Sequence, residues 1–575
     1  MPLPPTLVAS AGQVVAHTLL NCLLREVSGP EHQTVVADGH LRLRLPRCGV
    51  QLRVALRRTS LSGAHRFTGP VTERCDGAWR EVPWPELARY VQRELTARTG
   101  VVNDEFVSQV AASHAGVTAA LDAARPPAGD DPAAAYLESE QALPFGHRFH
   151  PAPKARTGTA DAWERYAPEA GARFPLRHLA VRREYVREEA VAPGDLAALD
   201  RQRPVPDGYR LLPAHPWQYA LLRDHPALRA ALARGDVLDL GPGGPEFAPT
   251  ASVRTLYDGR DFLKFSLNVR ITNCVRKNAE YELSGAVALT RLLAPVAADL
   301  AARFPGAALL REPAYRTLAL GGRDLAEGFG VIVREGLGAR LGPGLTALLA
   351  AAVADEYPSS RAQISRLLPG AGPEEYLAWW EAYCALLVPP VLAAYLDHGV
   401  VLEPHLQNVL VGVDAAGLPR QVLFRDLEGT KLVAERHAAT LAALPAAVAG
   451  PMAYGRARGW DRVVYCLLVN HLADLLAALA DQHPELEPAL WAAVRRTLRD
   501  HAAAHGEPPE LRDLIAGAPL PAKANLLTRW ARTADRHAGY VRLPSPLALD
   551  LLPPDEPGPA ARTATAARTA PWTAP

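Results

Sequence analysis

Residues 250–276 read TASVRTLYDGRDFLKFSLNVRITNCVR, and this stretch decides the fold of the middle of the chain. Asp258 and Gly259 form a turn signal between two runs that alternate polar and apolar residues, so the stretch predicts a β-hairpin. A strand over the second run would place its polar residues on one face and its apolar residues on the other. The polar set is Lys264, Ser266, Asn268 and Arg270.

The pairing register of this hairpin decides which cations meet. A two-residue loop would mix polar and apolar side chains on each face, so we expect a three-residue loop. That register pairs Arg254 with Lys264 and Ser252 with Ser266. Two cations directly opposite each other repel, unless an anion such as a polyphosphate lies between them. A solvated sheet face carrying ordinary surface Arg and Lys is the competing interpretation.

A second hairpin is predicted in EPHLQNVLVGVDAAGLPRQVLFRDLEG, residues 403–429, with strands at 408–413 and 421–426. This pairing would bring Asn408 and Asp426 opposite each other at the base of the hairpin. An amide oxygen and a carboxylate are ligands suited to Mg²⁺ that already holds phosphates, and protein kinases use such a pair. Further candidate ligands or orienting groups nearby are Glu403, His405 and Glu428. The competing interpretation is an Asn cap and an Asp426–Arg425 salt bridge.

A cationic loop is predicted in GHRFHPAPKARTG, residues 146–158, because its prolines exclude a regular helix. It could bind a carboxylate or a phosphate, and a basic surface loop is the competing interpretation. Two His at i, i+3 permit zinc, but no other clustered soft ligand supports that metal. The charged and imidazole side chains are His147, Arg148, His150, Lys154 and Arg156.

Composition limits the class of protein. The chain has 575 residues, a formal net charge of +1 and 49% hydrophobic residues. This excludes a disordered chain and gives no support for nucleic-acid binding through bulk charge. The six cysteines form no C-x-x-C pair, and no signal peptide or uncharged window of about 18 apolar residues is evident. We therefore expect a cytoplasmic protein with no membrane partner.

The chain is long enough for two or three domains. Its first third reads as mostly helical, with helices over 8–26 and 103–124, the latter capped by Asn103, and a hairpin over 41–58. The Pro/Ala/Thr/Arg-rich segment 553–575 predicts a disordered tail.

Six motifs, in this order along the chain, resemble those of the IucA/IucC-type, NRPS-independent siderophore synthetases. They are GHRFHPAPKARTG, PAHPWQ, TASVRT, KFSLNVRITNCVR, EPHLQN and RDLEG. The resemblance covers roughly residues 140–530. It departs at Arg148, where these proteins usually have Pro after the first His.

The resemblance implies an α+β fold of cupped-hand architecture, rich in helices with antiparallel sheets and a kinase-like element. The implied domains are a mainly helical thumb (1–142), β-rich fingers that bind ATP phosphates and substrate (143–345), and a palm with the metal-binding hairpin (346–552). The implied activity is that of an ATP- and Mg²⁺-dependent ligase of siderophore biosynthesis and iron acquisition. Such a ligase adenylates citrate or a related carboxylate, releases pyrophosphate, and transfers the acyl group to an amine, hydroxylamine or alcohol. The family also implies a homodimer.

The resemblance assigns roles residue by residue. Phosphate contacts would come from Ser252, Arg254, Thr255 and Lys264, with His150 and Lys154 closing the phosphate and acyl end. The carboxylate and its developing charge would be held by Arg276 and His405, with His147 and Gln407 as further substrate contacts. The Mg²⁺ of ATP would be held by Asn408 and Asp426, with Glu403. In the expected register Thr255 lies on the apolar face, so its contact would need a bulge or its backbone.

Two other functions compete. The first is a phosphotransferase that uses the Asn408/Asp426 metal site, although the sequence has no His-x-Asp base upstream of Asn408 and no Gly-rich kinase loop. The second is a non-catalytic protein that binds a polycarboxylate in a cationic cleft.

Overall fold

The computed structural model describes residues 9–123, 129, 131–156, 158, 163–271, 274–275, 277–534 and 537–548. Of 270–271 and 274–275 only the backbone is described. The predicted tail, 553–575, and Arg276 lie outside the described residues.

The N-terminal part combines four helices with a five-stranded antiparallel sheet in sequential order. The strands are Thr34–Ala37, His40–Leu45, Val50–Arg58, Arg66–Cys75 and Ala78–Glu81. The helices are Ala11–Leu23, extended as a π-helix over Leu24–Ser28, then Trp84–Thr99, Phe106–Asp122 and Pro132–Gln141. The hairpin predicted over 41–58 is confirmed, with Leu45 opposite Val50. It forms because alternate leucines, Leu41 and Leu43 among them, are buried while the arginines between them are not.

The predicted cap of the third helix is wrong by two residues. The helix is preceded by Glu105, while the Asn103 side chain accepts a hydrogen bond from the Glu105 N–H at 3.1 Å. Its amide also donates to the Trp530 carbonyl at 3.0 Å, so tertiary contact fixes Asn103 outside the helix.

The middle of the chain forms an eight-stranded sheet in which every neighbouring pair is antiparallel. In spatial order the strands are Val186–Ala190, Ala314–Leu318, Val331–Arg334, Phe262–Phe265, Thr255–Tyr257, Val237–Pro249, Phe174–Arg182 and Tyr209–Ala214. Its helices are Ala197–Asp200, Pro216–Leu222, Pro226–Arg234, Glu280–Arg303 and Arg323–Gly328. A separate short ribbon pairs Arg270–Ile271 with Cys274–Val275.

The hairpin at 255–265 exists, but its predicted register is wrong. Thr255 lies opposite Lys264, and Tyr257 lies opposite Phe262, which leaves a four-residue loop. The Asp258 carboxylate lengthens the turn, because it accepts hydrogen bonds from the N–H groups of Arg260 and Asp261 at 2.9 and 2.8 Å. Since opposite residues share a face, Thr255 lies on the face of Lys264 rather than on the apolar face.

Arg254 and Ser252 precede this strand instead of alternating along it. Residues 250–255 form a tight turn in which Val253 has a left-handed backbone, with φ of 69°. The Thr250 hydroxyl donates to the Thr255 carbonyl at 2.9 Å, and the Ser252 hydroxyl accepts from the Thr255 N–H at 3.2 Å. The predicted Arg254–Lys264 pairing is therefore wrong, and Arg254 bonds through its carbonyl to Phe265 N–H at 2.8 Å.

The C-terminal part is built on a four-stranded sheet that borrows one strand from the middle of the chain. In order, its strands are Ala307–Leu309, Pro419–Phe424, Val409–Val413 and Thr346–Leu349. Smaller sheets join Val400–Val401, Lys431–Val433 and Ala453–Tyr454, and Leu520–Lys523 with Tyr540–Leu543. The helices are Ala350–Val353, Ile364–Leu367, Pro373–Leu396, Ala438–Ala442, Ala446–Met452, Arg456–Val464, Ala473–Ala480, Glu487–Ala504, Pro509–Ile515 and Asn525–Trp530, with a π-helix over Tyr465–Leu472.

Buried aromatic side chains of the helix Pro373–Leu396 fix the C-terminal core. The indoles of Trp379 and Trp380 are fully buried and donate to the carbonyls of Gly417 and Leu490 at 2.9 and 2.8 Å. A buried indole needs such a partner, because an unmade hydrogen bond in the core costs free energy.

The helix Asn525–Trp530 returns to the N-terminal part. The buried carboxylate of Glu26 accepts the N–H groups of Leu526 and Leu527, both at 2.9 Å, at the positive end of this helix. Burial raises the pKa of Glu26 to about 7, against the lowering effect of these hydrogen bonds and of Arg25. The domain boundaries expected near 142, 345 and 552 stay predictions.

Among the described residues, three helices are long and apolar enough to cross a membrane by length and composition: Glu280–Arg303, Pro373–Leu396 and Arg456–Ala480. The sequence predicted none of them because no uncharged window of about 18 apolar residues occurs in the chain. Burial inside the protein covers 39%, 61% and 94% of their apolar windows, respectively.

Candidate active site

A cavity of about 980 Å³ gathers residues from all parts of the chain. It is lined by twelve of the residues singled out in the sequence: His147, His150, Lys154, Ser252, Arg254, Thr255, Lys264, Glu403, His405, Gln407, Asn408 and Asp426. The predicted residue Arg276 lies outside the described part. The sequence therefore named the lining of one cavity, although several of the predicted contacts within it differ.

Lys264 is the central cation of the cavity. Its ammonium group bonds to Asp426, lies 2.5 Å from Glu428 Oε2, and lies 3.9 Å from Glu312 Oε1. Burial opposes ionisation of Asp426 and Glu428, but the positive charges of Lys264 and the neighbouring arginines outweigh the effect of burial. They hold the pKa of Asp426 far below its usual range and that of Glu428 at about 2.

Arg254 reaches the same acidic group from the tight turn before the strand. Its guanidinium lies 3.2 Å from Glu428 Oε2 and donates to Asn278 Oδ1 at 2.5 Å. Asn278 is fully buried, and its amide donates to the carbonyls of Gly330 and Lys264 at 3.1 and 3.2 Å. Asn278 thus fixes Arg254 relative to Lys264, so both cations face Glu428 without being paired across the hairpin.

Arg334 and Glu312 complete this cluster and were missed in the sequence. Arg334 Nη2 lies 2.6 Å from Glu312 Oε1 and 3.0 Å from Asp426 Oδ1. Both residues are buried. In the sequence, Arg334 is marked only by its position directly after the apolar run Val331–Val333. Charged residues are common at the ends of strands, so this position does not indicate a functional residue.

The second hairpin is also one residue out of the predicted register. Val409 lies opposite Phe424, and Arg425 N–H bonds to the Asn408 carbonyl at 3.0 Å. Nearer the turn, a β-bulge at Gly412/Val413 shifts the pairing by one further residue, so that Val413 lies opposite Pro419. Asp426 follows the strand in a left-handed conformation, with φ of 72°, and so turns toward Lys264 instead of facing Asn408.

Arg425 has a structural partner other than Asp426, so the competing salt-bridge interpretation is wrong. Its guanidinium bonds to both carboxylate oxygens of Glu140 at 2.5 and 3.2 Å, and both side chains are buried. It also donates to the Gln407 carbonyl at 2.9 and 2.7 Å, which fixes the segment before Asn408.

Glu403 is held away from the role of metal ligand. Its Oε1 lies 2.7 Å from Arg462 Nη2. Burial raises the pKa of Glu403, but the positive charges of Arg462 and Lys431 outweigh burial, and the pKa is lowered. Asn408 donates its amide to the Glu403 carbonyl at 3.3 Å, which leaves the amide oxygen as the atom that could bind a cation. Within the described residues, no group of three or more His, Cys, Asp and Glu side chains forms a preformed metal site.

Two histidines of the cavity are neutral at physiological pH. Burial lowers the pKa values of His405 and His147 to about 4, against the raising effects of Glu403 on His405 and of Asp474 on His147. A neutral imidazole can hydrogen-bond a carboxylate but adds no positive charge, which narrows the role expected of His405.

The π-helix Tyr465–Leu472 supports the segment that carries His405. His471 donates from Nδ1 to the Pro404 carbonyl at 2.7 Å and accepts from the Tyr383 hydroxyl at 2.6 Å. The Asn470 carbonyl accepts the Leu406 N–H at 3.3 Å. Such π-helical segments are frequent at functional sites.

The predicted cationic loop is folded back on itself. The rings of His147 and His150 accept hydrogen bonds from the N–H groups of Phe149 and Ala152, both at 3.1 Å. Arg148 donates to the His65 carbonyl at 3.0 Å and lies 3.4 Å from Glu356. This loop therefore belongs to the cavity wall and is not a plain surface loop.

A carboxylate that the sequence analysis missed, Glu169, neutralises the end of this loop. It bonds to Lys154 and to Arg156, the latter at 2.9 and 3.0 Å. Burial would raise its pKa, but Arg156 and Lys154 outweigh burial and lower the pKa of Glu169 to about 2.

Comparison with known proteins identifies the family to which this chain belongs. The IucA/IucC family model matches residues 135–355, and a model described as ferric iron reductase FhuF-like transporter matches residues 377–538. The siderophore biosynthesis protein RhbC of Rhizobium meliloti is 30% identical, with 94% of this chain and 98% of RhbC covered. The L-2,3-diaminopropanoate–citrate ligase of Staphylococcus aureus is 30% identical, with 72% of this chain and 74% of that protein covered.

A solved structure matches along nearly the whole chain. It is ATP-bound aerobactin synthetase IucA from Klebsiella pneumoniae, with a TM-score of 0.81, 27% identity, and 93% and 99% of the two chains covered. The fold is thus that of the siderophore synthetases, the named relatives support the predicted ligase class, and the predicted α+β class is confirmed. The chain belongs to the IucA/IucC family of NRPS-independent siderophore synthetases.

Proposed function

We propose that this protein uses ATP to adenylate citrate or a related carboxylate and then joins the acyl group to an amine, hydroxylamine or alcohol in siderophore biosynthesis. The observation that carries the proposal is the buried cluster of Lys264, Arg254, Arg334, Asp426 and Glu428 in one large cavity. Relatives are citrate ligases, and a structural relative holds ATP.

The charge of this cluster supports a requirement for Mg²⁺. The cations Lys264, Arg254 and Arg334 are already compensated by ion pairs with Asp426, Glu428 and Glu312. A triphosphate adds several negative charges, so it would be repelled unless a divalent cation entered with it. Mg²⁺ binds through one or two carboxylates plus phosphates and waters, a donor set that Asp426 and the Asn408 oxygen could supply.

A further part of the cavity suits the base of a nucleotide. Gly285, Leu289, Val448 and Met452 line it with apolar groups. A Cβ atom at Gly285 would come within 3.0 Å of Met452 Cε, so glycine keeps the space beside Met452 open. An apolar space in the same cavity as a cation cluster suits a purine triphosphate.

The proposed chemistry depends on electrostatics. A carboxylate must approach the α-phosphorus although both are anionic, and pyrophosphate must leave with its charge stabilised. Lys264 and Arg254 would hold the phosphates, while neutral His405 would orient the carboxylate through a hydrogen bond. Each such contact is worth about 2.7–4 kcal/mol of barrier.

The test is a screen for pyrophosphate release over carboxylates and amines, with mass spectrometry of the products. We expect AMP, pyrophosphate and an amide or ester for one pair. Formation of ADP would instead favour the phosphotransferase, and citrate binding without turnover would favour the non-catalytic binder. EDTA should abolish release, and Asp426→Asn should raise the Mg²⁺ concentration needed for half-maximal rate at least tenfold, because it removes a charged ligand. An unchanged Mg²⁺ requirement would exclude Asp426 as a ligand.

A homodimer is also proposed on the family resemblance alone, and a cytoplasmic location on the cysteine pattern of the sequence. Size-exclusion chromatography with light scattering tests the dimer, and a molar mass near 61.8 kDa would contradict it.

A further inference from the structure

Asp474 is a buried carboxylate of the cavity that the proposed adenylation does not use. It lies in the first turn of the helix Ala473–Ala480, is 8% exposed, and lines the same cavity as His147 and His405. Its Oδ1 has no hydrogen-bond partner in the described structure. By contrast, Asp426, Glu428 and Glu403 each bond to a cation.

The charged groups around Asp474 form no ion pair with it among the described residues, although Arg25 is the neighbouring charge that lowers its pKa most. Arg66 bonds to Asp481 at 2.7 Å and Glu356 at 3.3 Å, and the guanidinium of Arg25 stacks 3.1 Å from the Phe149 ring centre. His147 is neutral at physiological pH. A buried carboxylate with an unmade hydrogen bond costs free energy, which a ligand that donates hydrogen bonds would recover.

We propose that Asp474 binds the amine of the acyl acceptor and accepts its proton. This rests on the proposed function and assigns a place in the cavity to the second substrate. An ammonium group is the donor that a buried carboxylate recognises best. Burial is the largest effect on the pKa of Asp474, and it raises that pKa. Arg25, His147 and Arg66 lower the pKa and Glu356 raises it, and the pKa stays above its usual value. A raised pKa brings the carboxylate closer to proton transfer near neutral pH.

The step is balanced. The bound ammonium gives one proton to the Asp474 carboxylate, and the freed nitrogen lone pair forms the C–N bond to the acyl carbon. The bond from that carbon to the AMP phosphate oxygen breaks, AMP leaves with that electron pair, and the second N–H proton passes to solvent. The product is an amide, and Asp474 returns its proton to solvent.

The helix geometry links this subsite to the acyl end of the cavity. Asn470, one turn before Asp474, accepts the Leu406 N–H, and His471 bonds to the Pro404 carbonyl. The segment that carries His405 and the carboxylate of Asp474 are therefore held by one continuous helical segment. This keeps the acyl group and the amine in a fixed relation.

The test separates the two half-reactions with Asp474→Asn, which keeps the shape of the side chain. ATP–pyrophosphate exchange with the carboxylate alone should stay within twofold of wild type. The kcat/KM for an alkylamine acceptor should fall at least 100-fold, as expected for loss of a proton acceptor. Hydroxylamine is unprotonated at neutral pH, so its capture of the acyl group should fall less than fivefold. The exposed Asp500→Asn on the helix Glu487–Ala504 is the matched control.

Amide formation by Asp474→Asn within threefold of wild type would overturn the inference, as would an equal loss with hydroxylamine. Absence of exchange in the wild-type protein with every carboxylate would instead contradict the proposed function. Asp474→Asn also removes the negative charge that acts most strongly on buried Arg25, so urea denaturation is measured beside exchange to establish that the variant is folded. If Asp474→Asn nevertheless fails to exchange, the smaller Asp474→Ser is measured in the same way, and loss of exchange in both variants also overturns the inference.

Discussion

Lys264→Met is expected to slow adenylation about 10²–10³-fold and to destabilise the fold. The ammonium group is 2.5 Å from Glu428 and 3.9 Å from Glu312, and it also bonds to Asp426. At about 4 Å and an effective dielectric constant of 20, one such pair is worth about 4 kcal/mol before desolvation. Removing the cation leaves three carboxylates with Arg254 and Arg334 alone, so we expect a loss of about 3–5 kcal/mol in the free energy of unfolding.

The rate of pyrophosphate exchange should fall about 10²–10³-fold, since one preorganised charge is lost from the transition state. Urea denaturation measures stability, and exchange is measured well below the unfolding transition. Lys264→Arg keeps the charge but not the geometry of the ammonium group, so it should lose less stability than Lys264→Met while remaining impaired in exchange. Arg260→Met, at the exposed turn of the same hairpin, is the control and should change stability by less than about 0.5 kcal/mol. Exchange within threefold of wild type in folded Lys264→Met would refute the reasoning.

Two further predictions concern buried ion pairs. The pKa of Glu169 falls from 4.5 to about 2 on folding, so its stabilising effect is complete above pH 4.5 and is lost as the pH falls to 2. Glu169→Gln should therefore cost roughly 3 kcal/mol at neutral pH and flatten the acid limb of the stability profile; an unchanged acid limb in urea titrations would contradict this. Glu140→Gln should cost about 3–5 kcal/mol by leaving Arg425 uncompensated, whereas Glu140→Leu with Arg425→Met should cost less than the sum of the single changes. Additive losses would show that the pair is not coupled.

The local alternation of polar and apolar residues predicted the hairpins but not their pairing registers. The alternation in LRLRLPR and VQLRVALRR identifies a hairpin, because one face must be buried and the other solvated. The Asp258 carboxylate lengthened the turn of one later hairpin and so moved its register by one residue, and a bulge at Gly412/Val413 changes the pairing within the other. Side-chain hydrogen bonds to the backbone decide such shifts, and the hydrophobic pattern does not record them.

The sequence by itself determined the family and twelve residues that line the cavity, because its motifs keep their order and chemical types along the chain. Tertiary structure alone decided which charges meet. Lys264 meets Asp426, Arg425 meets Glu140, and Oδ1 of Asp474 has no hydrogen-bond partner among the described residues. These partners are far apart in the sequence, and only the packing of separate sheets and helices sets the few ångströms that determine Coulomb energy and burial.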